Sequence, residues 1–161
     1  CQGQRTVAEE LYRKGAAVDF GFASGLGALE RVRSYFAADG TLLPGAYSLY
    51  RPERHRLAEP DDRRIINEAL SWASINNRTG VADYLLDKGA DINCTTDFAF
   101  GGATPLHRAA LAGWEEMVKF LLHWGADPHI RDSTHSGTPA EWAEHAGWRG
   151  LAEFIRTYDD A

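Results

Sequence analysis

Six histidines are the first residues in this sequence that could do chemistry: His55, His107, His123, His129, His135 and His145, five of them between positions 107 and 145. Neutral imidazole is the commonest metal ligand, so the cluster invites a metal site. Its spacing argues against one. The steps from 123 to 129 to 135 match no zinc pattern, and the two cysteines, Cys1 and Cys94, are far away in sequence. Other fragments imitate catalytic machinery. Asp19-Phe20-Gly21 copies a kinase triplet without its companion motifs. The glycine-rich stretch from Gly21 to Gly27 has no Lys-Ser/Thr ending to hold a phosphate. Ser24 and Ser136 lack the strand–turn–helix setting of a hydrolase nucleophile. Cys94 and His107 make a thiol–imidazole dyad only if the histidine is free to act as a base. The expectation is a protein that is not an enzyme and has no metal or other cofactor.

Composition narrows the partners. The 161 residues are 44% hydrophobic and 25% charged, with a formal net charge of −6, an ordinary mixture for one globular domain or one short solenoid. A nucleic-acid binder would be basic, so no nucleic acid is expected. No apolar run approaches the roughly 18 residues needed for a membrane span. Two cysteines cannot build a disulfide framework, which suggests a reducing compartment and a cytoplasmic location. Cys1 is alternatively the type of residue that carries lipid in a bacterial lipoprotein. The triplets Asn77-Arg78-Thr79 and Asn93-Cys94-Thr95 would matter only in a secretory pathway.

Behind these residues lies a repeat. Gly113-Trp114 through Leu121 returns 34 residues later as Gly147-Trp148 through Ile155, and Thr104-Pro105 returns at the same interval as Thr138-Pro139. Val81 through Gly89-Ala90-Asp91 precedes Met117 through Gly125-Ala126-Asp127 by 36 residues. Each unit predicts two short helices. A threonine caps the first and proline suits its first turn. Leu106, Ala109 and Ala110 give it an apolar face, and Gly113 ends it. Val118, Leu121 and Leu122 form the i, i+3, i+4 stripe of the second helix, which Gly125 closes. Such pairs cannot bury their faces alone and must stack.

Gly102-Ala103-Thr104-Pro105-Leu106-His107-Arg108-Ala109-Ala110, followed by Leu121-Leu122-His123-Trp124-Gly125-Ala126-Asp127-Pro128, resembles an ankyrin repeat. The resemblance implies an all-α solenoid of stacked helix–turn–helix units with a concave groove, and a structural role for His107. On this reading residues 1–16 are a half repeat or N-terminal cap, 17–40 a repeat, 41–62 an insertion loop, 63–100 and 101–135 repeats, and 136–161 a C-terminal capping repeat. The irregular repeats resemble those of bacterial ankyrin proteins. The chain starts inside a second helix, so either preceding sequence is missing or the first residues are an improvised cap. In either case the chain can be part of a longer protein or complex.

The resemblance implies a protein or peptide partner, held through the groove and the loop tips. The residue after the motif histidine is Phe22, Trp72, Arg108 and Trp142 in successive units. Aromatic residues and arginine are what interface hot spots favour, so this row is the candidate partner-binding surface. Leu26, Ile75, Leu111 and His145 lie in the same register and would widen it. The alternative is that the row fills space between repeats. The insertion is locally basic, and Tyr50, Arg51, Arg54 and Arg56 are candidate loop contacts, against the plainer reading of a solvated connector. Trp114 and Trp148, at the turns, are expected to pack on the neighbouring repeat. The rival function is a small-molecule or enzymatic pocket lined by Trp and Arg and covered by residues 41–63.

Overall fold

In the computed structural model, which describes residues 10, 12–15, 18–47, 61–95 and 101–158, eight α-helices follow one another. They are α1 (Phe20–Leu26), α2 (Leu29–Arg33), α3 (Asp62–Ile75), α4 (Thr79–Asp87), α5 (Pro105–Ala112), α6 (Glu115–His123), α7 (Pro139–His145) and α8 (Arg149–Arg156), with a 3-10 turn at Pro44–Tyr47. Among the described residues the only strand-like pairing is an isolated bridge between Phe36 and Leu42. The described elements are thus all helical and pair as the repeat predicted.

Local chemistry sets the helix ends. Thr138 Oγ1 accepts the Glu141 amide, and the Glu141 carboxylate accepts the Thr138 amide at 2.7 Å, so two otherwise unpaired donors are satisfied. In α5 the histidine takes the glutamate's part: the Thr104 hydroxyl accepts the His107 amide, and His107 Nδ1 accepts the Thr104 amide at 3.2 Å. Asp19 and Asp61 cap α1 and α3 with their carboxylates. After each inner helix the backbone turns through a left-handed residue, Gly27, Asn77, Gly113 and Gly147, at φ of 79°, 56°, 74° and 92°. The following amide then donates to an alanine carbonyl five residues back in the same helix, at Ala23, Ala73, Ala109 and Ala143.

The inner helices α1, α3, α5 and α7 stack in sequence, and each outer helix packs on its own inner partner. Alanines at 23, 69, 73, 109, 110 and 143 are completely or almost completely buried along the inner row, where a small side chain lets neighbouring helices approach. Val32, Leu85, Met117, Val118, Leu121, Leu122 and Ile155 supply the apolar stripe of the outer row, all at or near zero exposure. Each such side chain contributes roughly 1.5–3 kcal/mol by leaving water.

A second tie repeats between units. The residue that starts each outer helix reaches back to a carbonyl of the preceding inner helix. Arg78 Nε donates to Gly25 O at 3.2 Å, Trp114 Nε1 to Ile75 O at 2.9 Å, and Trp148 Nε1 to Leu111 O at 3.2 Å. At the last of these ties a Cβ on Gly113 would lie 2.4 Å from the Trp148 ring, so the glycine is required by contact as well as by its φ.

The segment beginning at Thr41, expected as an insertion loop and preferably a solvated connector, has Thr41, Leu43, Pro44 and Gly45 exposed but is anchored to the array at two points. Leu42 and Ala46 are buried, because Leu42 bridges back to Phe36 and the turn at Pro44–Tyr47 lies beside α1. At its far end, α3 runs for 14 residues against 8 in α5 and 7 in α7, so helix begins at Asp62, well before the position equivalent to Thr104. Tyr50, Arg51, Arg54, Arg56 and Cys1 lie outside the described residues.

Candidate partner-binding surface

The row Phe22, Trp72, Arg108 and Trp142 falls, as the register required, on the four inner helices, but its members differ in depth. Phe22 is 47% exposed. Trp72 is half-buried, laid across Gly21 and Gly25 of α1, whose missing side chains leave room for the indole. Arg108 is 2% exposed and Trp142 8%. The proposed arginine fork for a partner's carboxylate is therefore inside the array: α5 is packed between α3 and α7, and Arg108 lies near the buried Cys94. Burial draws the Arg108 guanidinium down from its usual range and pushes the Cys94 thiol up to about 12. A neutral, buried thiol is a poor nucleophile.

The second row behaves differently. Leu26, Ile75 and Leu111 are partly exposed and His145 is exposed, so one strip of accessible side chain continues across all four inner helices. At its C-terminal end Leu111, Trp142 and His145 meet His135, Gly137 and Glu141 around a cleft of about 430 Å³ whose walls are mainly apolar. A volume of this order can hold a small ligand or a few peptide side chains. The pocket expected as the rival site included Arg108 and residues 41–63. Neither contributes to the described lining of this cleft.

Asp132 builds that cleft. Its carboxylate is 2% exposed and accepts four N–H groups: the amides of Thr134 at 2.9 Å, His135 at 2.7 Å and Gly137 at 2.8 Å, and the Trp142 indole at 2.9 Å. Burial alone would raise its pKa. The His135 amide, the Trp142 indole and the Gly137 and Thr134 amides outweigh this and hold it at about 2. His107 supports the same loop from below, its Nε2 donating to Gly137 O at 3.0 Å when Nδ1 is the acceptor for Thr104. Burial depresses the His107 pKa, and its ring meets Trp142 edge-on at 5.2 Å between centroids. With both nitrogens occupied, His107 is not positioned as a free base for Cys94.

Sequence reasoning had Leu111, Trp142 and His145 but missed Asp132, Gly137 and Glu141, and placed His135 only in a loop. A signal was present: aspartate followed by Ser133-Thr134 and then Gly137 is the pattern in which a carboxylate captures backbone amides two or more residues on. The outer surface holds two more exposed indoles, Trp124 at 39% and Trp148 at 48%. Trp148 and Trp114 do pack on the preceding repeat, through the carbonyl bonds already given. Among the described residues no three His, Cys, Asp or Glu side chains are grouped to hold a metal, and no helix is long and apolar enough to cross a membrane.

Known proteins give this geometry a family. The profile for ankyrin repeats, in three copies, matches residues 46–132. The chain is similar to Palmitoyltransferase AKR1 of Lachancea kluyveri, 48% identical over 66 residues, which are 40% of this chain and 8% of that protein. It is similar to Palmitoyltransferase Hip14 of Drosophila melanogaster, 42% identical over 78 residues, 47% of this chain and 11% of the relative. To Palmitoyltransferase ZDHHC17 of Homo sapiens the identity is 38% over 77 residues, 46% of this chain and 11% of the relative. The similarity therefore spans only about a tenth of each relative's length. These relatives are eukaryotic and give the expected bacterial likeness no support. The repeat period, the stacked helix pairs and the matching profile lead to one conclusion: the chain belongs to the ankyrin-repeat family.

Proposed function

We propose that this chain is a recognition module, which holds a protein or peptide partner along the inner helices and the tips of the connecting loops and performs no reaction on it. The observation that carries the reading is the strip Leu26, Ile75, Leu111 and His145, accessible on four successive inner helices. A stacked array repeats such positions at regular intervals, and that is how solenoids make extended binding surfaces. Phe22 adds exposed aromatic area at one end and Trp72 a half-buried ring beside it. Arg108 and Trp142 hold the surface from beneath. Tyr50 and the basic residues Arg51, Arg54 and Arg56 remain candidate loop contacts.

The relatives carry the name palmitoyltransferase over whole lengths that this chain matches only in small part. The reading this supports is that the chain serves as the recognition part of a longer protein or complex facing the cytoplasm, with any transferase chemistry residing elsewhere.

Affinity capture from source-cell lysate tests the module. The parent chain is compared with a Phe22→Ala/Leu111→Ser/His145→Ala variant, which alters accessible side chains and is checked for folding by circular dichroism. A protein held by the parent and lost by the variant is expected. Equal capture by both removes the strip from consideration, and capture by neither removes the recognition reading.

A further inference from the structure

The cleft at the C-terminal end of the strip joins mainly apolar walls to an excess of negative charge. Among the described residues three carboxylates border it: Glu141 in its lining, Glu144 next to His145 on α7, and Asp132 behind Trp142 and Gly137. Two guanidiniums answer them. Arg131 pairs with Glu141 at 3.2 Å, and Arg156 of α8 pairs with Glu144. The four groups that fill Asp132 are neutral N–H donors, which satisfy its oxygens and leave its charge in place. From α5, Arg108 is enclosed near Cys94 and does not line the cleft. Two histidines complete the rim. His135 has Nδ1 3.7 Å from Asp132 Oδ1, and His145 is exposed. With neutral imidazoles, the three carboxylates outnumber the two guanidiniums. The whole chain, at −6, adds a long-range field of the same sign.

The walls select the kind of cation. An ammonium group is strongly hydrated and gains little from apolar surface. A guanidinium is planar, more weakly hydrated, stacks on aromatic faces and forks onto a carboxylate, and its methylene stem covers apolar surface. The lining offers a place for each part. Trp142 and Leu111 are apolar. The Trp142 and His135 rings stand 6.5 Å apart between centroids at 74°, and indole is the best aromatic partner for a cation. The Glu141 side chain is 48% exposed. Its bonds to the Thr138 amide and to Arg131 both use Oε2, while a carboxylate offers about four acceptor sites, so Glu141 has capacity for a further N–H. We propose that this cleft receives an arginine side chain of the partner, its stem on Trp142 and Leu111 and its guanidinium against Glu141 and the ring faces. The proposal rests on the recognition reading above and names the partner's chemistry for one part of that surface.

The test uses the whole chain at pH 8, where ordinary imidazole is neutral. Four acetylated, amidated peptides are compared: Gly-Ser-Arg-Ser-Gly and its counterparts with citrulline, Lys or Leu in place of Arg. Citrulline keeps the shape of arginine and lacks its charge. Binding is followed by NMR at the Trp142 indole N–H, assigned with Trp142→Phe. The Arg peptide is expected to shift this signal and to bind about tenfold more tightly than the citrulline peptide, the size of one exposed ion pair and one cation–aromatic contact together. The Lys and Leu peptides are expected to bind more weakly than the Arg peptide. Glu141→Gln, which keeps an acceptor for the Thr138 amide, is expected to remove most of the preference for Arg over citrulline. Asp83→Asn makes the same change of net charge at an exposed position on α4 and is expected to keep that preference. Equal binding of the Arg and citrulline peptides, a Lys or Leu peptide as tight as the Arg peptide, a preference that survives Glu141→Gln or vanishes in Asp83→Asn, or no shift with millimolar Arg peptide would each overturn the proposal. The comparison of Arg with citrulline needs no variant, so it decides the matter even where Glu141→Gln fails to fold. A protein captured from lysate through the strip, with no shift from the Arg peptide, would remove this proposal and leave the recognition reading intact.

Discussion

Replacing Asp132 by alanine should cost this protein about 2.5–4.5 kcal/mol of stability. The carboxylate is almost fully buried and receives four N–H groups at 2.7–2.9 Å. Removal leaves the indole N–H of Trp142, itself 8% exposed, without that acceptor, which by itself costs about 1–3 kcal/mol for a buried donor. The three loop amides can turn toward water, so each adds less, roughly 0.5 kcal/mol. Urea unfolding followed by circular dichroism measures the total, as a fall in midpoint at unchanged slope. Asp132→Asn retains one acceptor oxygen and should fall between the parent and alanine. Acid titration supplies an independent check. Because the folded pKa of about 2 lies below the ordinary 3.8, the group's contribution is complete above the ordinary value and disappears as pH falls through about 2. The alanine variant should lack that portion of the acid dependence. A loss under about 0.5 kcal/mol, or an acid profile identical to the parent's, would refute the assignment of Asp132 as the organiser of the loop and the cleft.

Three further outcomes follow from the same geometry. Gly113→Ala should destabilise far more than Gly147→Ala in parallel urea titrations, because both have positive φ but only at Gly113 does a Cβ meet a ring, 2.4 Å away, while Gly147 faces open space. The shared left-handed cost is about 1–2 kcal/mol, and the excess at Gly113 measures the Trp148 contact. His107, held neutral with a lowered pKa, should make the protein less stable as pH drops below about 6.5, since the unfolded chain takes up the proton first; His107→Gln should flatten thermal stability across that window. Cys94, buried with its thiol near 12, should resist iodoacetamide in the folded protein and react fully in urea, with a Cys1→Ser background isolating the signal in mass spectrometry.

The elements of this fold were readable because their boundaries are set by local chemistry. Thr104-Pro105 and Thr138-Pro139 start helices by satisfying particular amides, and the glycines after α5 and α7 end them through a backbone angle few other residues tolerate. Depth was not readable. Periodicity places Phe22, Arg108 and Trp142 at one register position, yet the first is exposed and the other two buried. Trp142 sinks because Asp132, ten residues earlier, accepts its indole, and Arg108 is enclosed because α5 has a helix on either side. Phe22 remains open on α1, whose following neighbour sets Trp72 against Gly21 and Gly25. These outcomes depend on pairs of residues in different units, which a single repeat pattern does not contain. The early start of α3 was missed for a similar reason, since the basic run before it dominated the reading.

The back-reaching ties of Arg78, Trp114 and Trp148 give the array a direction in time. α1, α3 and α5 each have a late carbonyl satisfied by a residue of the next unit, so each of these units is completed by its successor. On a ribosome adding about 5–20 residues per second, carbonyl and donor separations of 53, 39 and 37 residues mean that each of these units waits roughly 2–11 s before the side chain that closes it has been made. The chain therefore grows with one unfinished edge that moves forward from α1 to α3 to α5 as each back-reaching side chain is made.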